Sequence, residues 1–222
     1  MTSITTPSST LPAQAVHLVC HPATPCAQEL QLTVSLALAG AVTGHDEASA
    51  GLLLRYQLTG DVAALKVPTP TLPAAADGLW QHTCFEAFVA VAGEAAYREF
   101  NFSPSGQWAA YRFGSERVRD NAAEASQSPV EPLIEISLEP HALVLQVWLA
   151  HSALPFPQAG ETLQLGLSAV VEDHLGQLRY WALTHPAAQP DFHHRGGLAL
   201  PLPFPLFDAQ PASPIKPSTT PP

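Results

Sequence analysis

Cationic side chains are scarce in this chain. Of 222 residues, 9 are Lys or Arg against 19 Asp or Glu, a formal net charge of −10 with neutral histidine. The lysines are Lys66 and Lys216 alone, and no run of Lys or Arg occurs. Nucleic acid and anionic membrane surfaces are held by cationic faces, so the composition argues against both as partners. Long apolar runs are also missing: no stretch reaches the roughly 20 residues that a membrane-spanning helix needs. The opening residues, MTSITTPSSTLPAQA, have neither a basic start nor an apolar core and do not read as a secretory signal. Cysteine is limited to Cys20, Cys26 and Cys84, an odd number with no Cys-x-x-Cys spacing. That predicts no disulfide framework and a reducing, cytoplasmic setting. Cys84 sits in an apolar strand pattern and reads as a core filler. Extended helical periodicity is absent too. Residues 115–127, SERVRDNAAEASQ, offer at most a turn or two of helix, or a loop.

What is present is alternation. Leu30, Leu32, Val34, Leu36 and Leu38 stand two apart, as do Leu52, Leu54, Tyr56 and Leu58. The same period recurs from Leu133, from His141 and from Thr162. Period two marks half-buried strands, and the 23 prolines and 13 glycines punctuate them. About ten to twelve strands with turn signals between them predict an all-β antiparallel sandwich of jelly-roll or Greek-key type. No internal repeat is present. The chain divides into a disordered arm over 1–15, one β-sandwich domain over 16–207 and a disordered Pro-rich tail over 208–222.

Residues 79–113 carry the most information. Two strands meet across Gly93, and a third follows the turn at Ser103–Gly106. Alternation sets Phe100 and Phe102 toward the core, with Arg98 on their side. Tyr97, Glu99, Asn101 and Ser103 then face the other way. In the preceding strand Phe85, Ala87, Val89 and Val91 share one face, and Glu86 shares the other with Phe88 and Ala90. A lone carboxylate among apolar neighbours is costly to bury unless it is paired or hydrogen-bonded. Glu86 therefore reads two ways: a structural partner for Arg98, Arg112 or backbone amides, or a ligand acceptor on a sheet face. Trp80, just ahead of that strand, is either core or a stacking platform at the rim of a cleft. Sugar rings present apolar C–H faces to aromatic rings and hydroxyls to carboxylate, amide and guanidinium groups. Trp with Glu, Asn and Arg supplies that chemistry.

Three blocks, LWQHTCFEAFV, YREFNFSPSGQWAAYRF and RYWALTHPAAQPDFHHRGGLAL, resemble the DOMON-like bacterial proteins. These are related to family-nine carbohydrate-binding modules and to haem-binding DOMON cytochromes. The resemblance spans most of residues 16–207. It implies a β-sandwich with a ligand site on one concave sheet. By position it implies that Trp80 is the aromatic ahead of the first central strand and Glu86 the carboxylate that accepts from sugar hydroxyls. Asn101 and Trp108 fall beside that site, and Trp181 is placed as the second aromatic wall. The sugar-binding relatives commonly carry acidic residues between the Trp and the Glu, some serving calcium; Gln81 to Phe85 here include no Asp. The cytochrome relatives hold haem through a Met and a His, and Met1 is the chain's one methionine. No cofactor is therefore implied.

Near the end of the chain, His185, Asp191, His193 and His194 lie within ten positions. His185, Asp191 and His193 are weak candidates for a divalent metal; the simpler reading is a polar loop. Arg195, ahead of Gly196 and Gly197, offers a forked donor to a ligand, or a structural partner to Asp191 or Glu86. No nucleophile elbow, metalloprotease motif, P-loop or dinucleotide fingerprint occurs. The sequence predicts non-catalytic binding of a small polar ligand, a saccharide, through Trp80, Glu86, Asn101, Trp108, Trp181 and Arg195. The alternatives are a metal-dependent enzyme using His82, His185, Asp191 and His193, a haem-binding DOMON domain, or a protein-interaction module using the tails.

Overall fold

The computed structural model describes residues 14–26, 29–39, 51–127, 129–155, 157–158 and 161–203. Most of the expected arm and all of the expected tail lie outside these residues. The alternating runs named from sequence all form strands, among twelve in the described residues: β1 (Gln14–Cys20), β2 (Gln31–Ala39), β3 (Gly51–Thr59), β4 (Cys84–Val91), β5 (Tyr97–Phe102), β6 (Trp108–Ser115), β7 (Val118–Arg119), β8 (Leu133–Glu139), β9 (Ala142–Ala150), β10 (Thr162–Glu172), β11 (Leu178–Ala182) and β12 (Leu200–Pro203). One short helix, α1 (Asn121–Ser126), occupies the segment read as a turn of helix or a loop. Asp120 caps it by accepting from the Ala123 amide.

All strand pairings are antiparallel and form two sheets. The first runs β1-β2-β3-β9-β8. In the second, β7-β6-β5-β4-β10 continue to β11, and β12 pairs the other end of β10. β1 joins the sheets, pairing β2 over Gln14–Leu18 and β11 at Val19 and Cys20. The domain's first strand thus begins two residues before the predicted boundary at 16.

The alternation read from sequence decides what each sheet buries. Leu52, Leu54, Tyr56 and Leu58 of β3 are fully buried and meet Phe85, Ala87, Val89, Phe100 and Phe102 of the second sheet in one core. The Tyr56 hydroxyl donates to the Glu86 carbonyl at 2.8 Å, so a buried tyrosine at the sheet–sheet contact keeps its polar end satisfied. A second, smaller apolar cluster lies on the outer face of the second sheet, around Phe88, Tyr97, Tyr111 and Phe113.

The cysteines depart from expectation. Cys20 and Cys26 are disulfide-bonded, closing the turn between β1 and β2, while Cys84 is free and buried. An odd count does not forbid one bridge, and the topology brings these two to a Cα separation of 6.0 Å, within disulfide range. The expectation of a reducing setting rested on unpaired cysteines and loses that premise.

Candidate functional site

The outer face of the second sheet is built by parity. β4 sends Glu86 and Phe88 outward between the core-facing Phe85, Ala87 and Val89. Register places Asn101 of β5 beside Glu86 on one side and Ser168 of β10 on the other. Glu99 pairs with Phe88 and with Tyr111 of β6. A cleft of about 310 Å³ opens over this row, lined by Trp80, Tyr111, Phe113, Tyr180 and Phe192 with Glu86, Glu99, Arg117, Arg119 and His193.

Trp80 is held at the rim. Gly78 adopts φ 73°, a left-handed turn that glycine enters without steric cost, and starts the 3-10 turn Leu79–Gln81. Tyr111 supports the same loop: its hydroxyl donates to Asp77 Oδ1 at 2.8 Å, and its ring meets Trp80 edge-on at 6.3 Å. Burial and the Asp77 carboxylate push the Tyr111 phenol up, so it stays a neutral donor. Trp80 remains 45% exposed, an uncovered indole beside a cleft.

At the floor of the cleft and beside it in register are polar atoms that lack partners among the described residues. Glu86 is 2% exposed and Asn101 fully buried. Asn101 Nδ2 donates to Glu99 Oε1 at 2.8 Å, but Asn101 Oδ1, Glu86 Oε1 and Ser168 Oγ have no hydrogen-bond partner among the described residues. Buried polar atoms are nearly always satisfied in folded proteins, and here three from adjacent strands are not. Burial, then the neighbouring Glu99 charge, pushes the Glu86 carboxyl well above the usual range. The Ser168 hydroxyl pulls the other way from close by, without hydrogen-bond geometry to Oε1. Glu99 is raised to about 7, chiefly by burial, against the stabilising pull of the Asn101 amide, Arg119 and Arg117.

The far wall comes from the hairpin β6–β7 and from residues 190–193. Tyr97 Oη accepts from the Arg117 amide at 3.1 Å and so donates to His193 Nδ1 at 2.8 Å. That assigns the His193 proton to Nε2, 3.7 Å from Glu99 Oε2. Burial first and the Arg117 charge second depress the His193 pKa to about 4, so the ring is neutral near pH 7. Arg117 is itself paired with Asp191 at 2.6 Å. Arg119 is forked onto both Glu124 oxygens, with its guanidinium 4.3 Å from the Tyr111 ring centre.

Of the residues singled out from sequence, Trp80 and Glu86 line the cleft, and Asn101 is buried beside Glu86 in register. Trp108 does not line the cleft: it registers opposite the core-facing Phe102 and so falls on the inner side of its sheet. Trp181 registers opposite Ala169 and is buried in the main core. In each case a one-residue difference in strand parity sends the ring to the wrong face for the cleft. Arg195 also stands apart. Its guanidinium donates to the Glu94 carbonyl and lies 5.9 Å over the Tyr97 ring, pairing neither Asp191 nor Glu86. The structural reading of Glu86 as a partner of Arg98 or Arg112 fails for the same parity reason: both arginines are on the opposite face.

The candidate metal set is dispersed. His193 is in the cleft, Asp191 binds Arg117, and His185 hydrogen-bonds the Val19 carbonyl beside the His21 ring. His82 is bound to Glu172, which also holds Lys66. Among the described residues no group of three or more His, Cys, Asp or Glu is placed to hold a metal ion.

Sequence reasoning missed Tyr111, Phe113, Tyr180, Phe192 and Ser168. Tyr111 and Phe113 were within reach, because alternation along β6 puts them on the side of Glu99. Ser168 stands alone in an apolar strand and gave no signal until β10 was paired with β4. Tyr180 and Phe192 arrive through the fold of the C-terminal segment, which no local pattern specifies.

No family model and no curated protein matches the chain. Among solved structures, a candidate carbohydrate-binding protein of Bacteroides uniformis overlays it with a TM-score of 0.54 at 18% identity, covering 82% of this chain and 81% of that one. A family-nine carbohydrate-binding module of Caldicellulosiruptor kristjanssonii, seen with cellotriose, overlays with a TM-score of 0.45 at 10% identity, covering 76% and 72%. The first likeness is one of fold.

Proposed function

We propose that the protein is a non-catalytic binder of a small polar ligand, a saccharide, held in the cleft on the outer face of the second sheet. The observation that carries this reading is Glu86, a buried carboxyl lining a cleft walled by aromatic rings and flanked in register by Asn101 and Ser168, each of the three with an atom left without a partner among the described residues. Unsatisfied buried groups cost on the order of 1–3 kcal/mol each, and a ligand hydroxyl would recover that cost. The half-exposed Trp80 supplies an apolar face at the rim for the C–H side of a sugar ring. The likeness in fold to a candidate carbohydrate-binding protein supports the same class of ligand.

Thermal shift against mono- and disaccharides tests this. A sugar at about 100 times its dissociation constant stabilises by roughly 2.7 kcal/mol, a rise of about 5–10 °C for a domain of this size. The shift should vanish in Trp80→Ala and Glu86→Gln while the ligand-free melting temperature of Trp80→Ala stays close to wild type. An undiminished shift in both variants would sink the proposal.

A further inference from the structure

The cations of the cleft are already engaged. Arg117 is paired with Asp191, Arg119 with Glu124, and His193 is neutral near pH 7. Arg98 and Arg112 belong to the opposite face of the sheet. Among the described residues no lysine or arginine forms an ion pair with Glu86 or Glu99. Two buried carboxyl groups therefore share the floor without a direct Lys or Arg ion pair among the described residues, with Arg117 and Arg119 acting on Glu99 only from a distance, a costly arrangement in a low-dielectric site. The walls above them are six aromatic side chains: Trp80, Phe88, Tyr111, Phe113, Tyr180 and Phe192.

A neutral sugar hydroxyl meets only part of this. It offers one donor and leaves the carboxyl groups without opposite charge. A protonated amine brings three donors and a full positive charge. The partnerless acceptors Glu86 Oε1 and Asn101 Oδ1 are beside each other in register to receive those donors. The faces of aromatic rings attract an ammonium through their quadrupoles, most strongly where water is excluded. We infer that the cleft selects a ligand carrying a protonated primary amine, an amino sugar, with its ammonium between Glu86, Glu99 and Asn101 and its ring against the aromatic wall. The inference rests on the saccharide reading of the cleft and narrows it. It also has a proton signature. Burial and the Glu99 charge shift Glu86 toward its protonated form in the free protein, and a docked ammonium shifts it back toward the carboxylate. Each Glu86 that ionises on binding breaks its O–H bond, keeps the electron pair on the carboxylate oxygen and passes the proton to the buffer.

Isothermal titration calorimetry on the full chain at pH 7 tests this, with glucosamine, glucose and cyclohexylammonium as probes in two buffers of different protonation enthalpy. Glucosamine should bind at least about tenfold tighter than glucose, with proton release that glucose does not cause. Glu86→Gln and Glu99→Gln should each weaken glucosamine at least about tenfold. A single cooperative melting transition in each variant shows that the fold is retained. Glucose binding as tightly as glucosamine would overturn the amine inference and leave the saccharide reading standing. Cyclohexylammonium binding without either sugar would do the reverse. Binding of none of the three would overturn both.

Discussion

Glu99 shows how one buried carboxyl group writes the cleft into the protein's pH dependence. Its pKa in the folded protein is about 7 against an ordinary 4.5, because burial disfavours the charge. A carboxyl group raised on folding stabilises fully below the unfolded pKa, and that contribution is lost as pH rises through the folded one. The window here runs from about 4.5 to 7. His193, depressed to about 4, acts in the opposite sense over 4 to 6.5, so the net profile of the wild type mixes the two. The variant removes the Glu99 titration together with its push on Glu86. Glu99→Gln keeps an acceptor for Asn101 Nδ2 but does not titrate. Its stability relative to wild type should rise by roughly 2–3 kcal/mol between pH 5 and pH 8, read from urea midpoints. A difference that stays flat with pH would mean that Glu99 is solvated in the folded protein.

At the scale of elements, parity along single strands carries most of the argument. β4 divides its residues between the main core and the cleft, and the same division along β6 and β11 removes Trp108 and Trp181 from the site. The turn between β1 and β2 depends on a covalent tie as well. Closing the short loop from Cys20 to Cys26 restricts the unfolded chain, and loops of this length contribute about 2 kcal/mol. Cys20→Ser with Cys26→Ser, or a reducing agent, should lower the melting temperature by about 4–8 °C. Neither cysteine lines the cleft, although Cys20 registers with Trp181 next to the lining Tyr180, so ligand affinity should change little; equal melting under oxidising and reducing conditions would show that the bridge does not form in solution.

The described residues form two sheets over one main core. Residues of both sheets pack in a single apolar cluster, and β1 is hydrogen-bonded into each sheet. Neither sheet can keep its buried face covered without the other, so unfolding should be one cooperative transition. Phe102 is fully buried at the centre of that cluster, and its ring is stacked parallel to Phe100. Phe102→Ala should cost about 3–5 kcal/mol and still unfold in one step by circular dichroism and by tryptophan fluorescence. Two separated transitions would show that the sheets hold independently.

Fold and strands were legible in the sequence because period two is a local property: each strand's apolar face can be read without its partners. The same locality brought out Trp80, Glu86 and Asn101, which sit on or beside two adjacent strands joined by a short turn. The second aromatic wall was not legible, because it depends on which way distant strands present their faces. Trp181 carries the larger ring, yet its neighbour Tyr180 has the parity that reaches the cleft. Strand pairing likewise set Ser168 beside Glu86 and closed Cys20 onto Cys26, where counting cysteines pointed the other way. By itself, the sequence determined an acidic all-β chain with one carboxylate out of place among apolar neighbours. Only the tertiary structure decided that this carboxylate has no Lys or Arg ion pair among the described residues, because the distance between charges on different strands is set by register, which no single segment encodes.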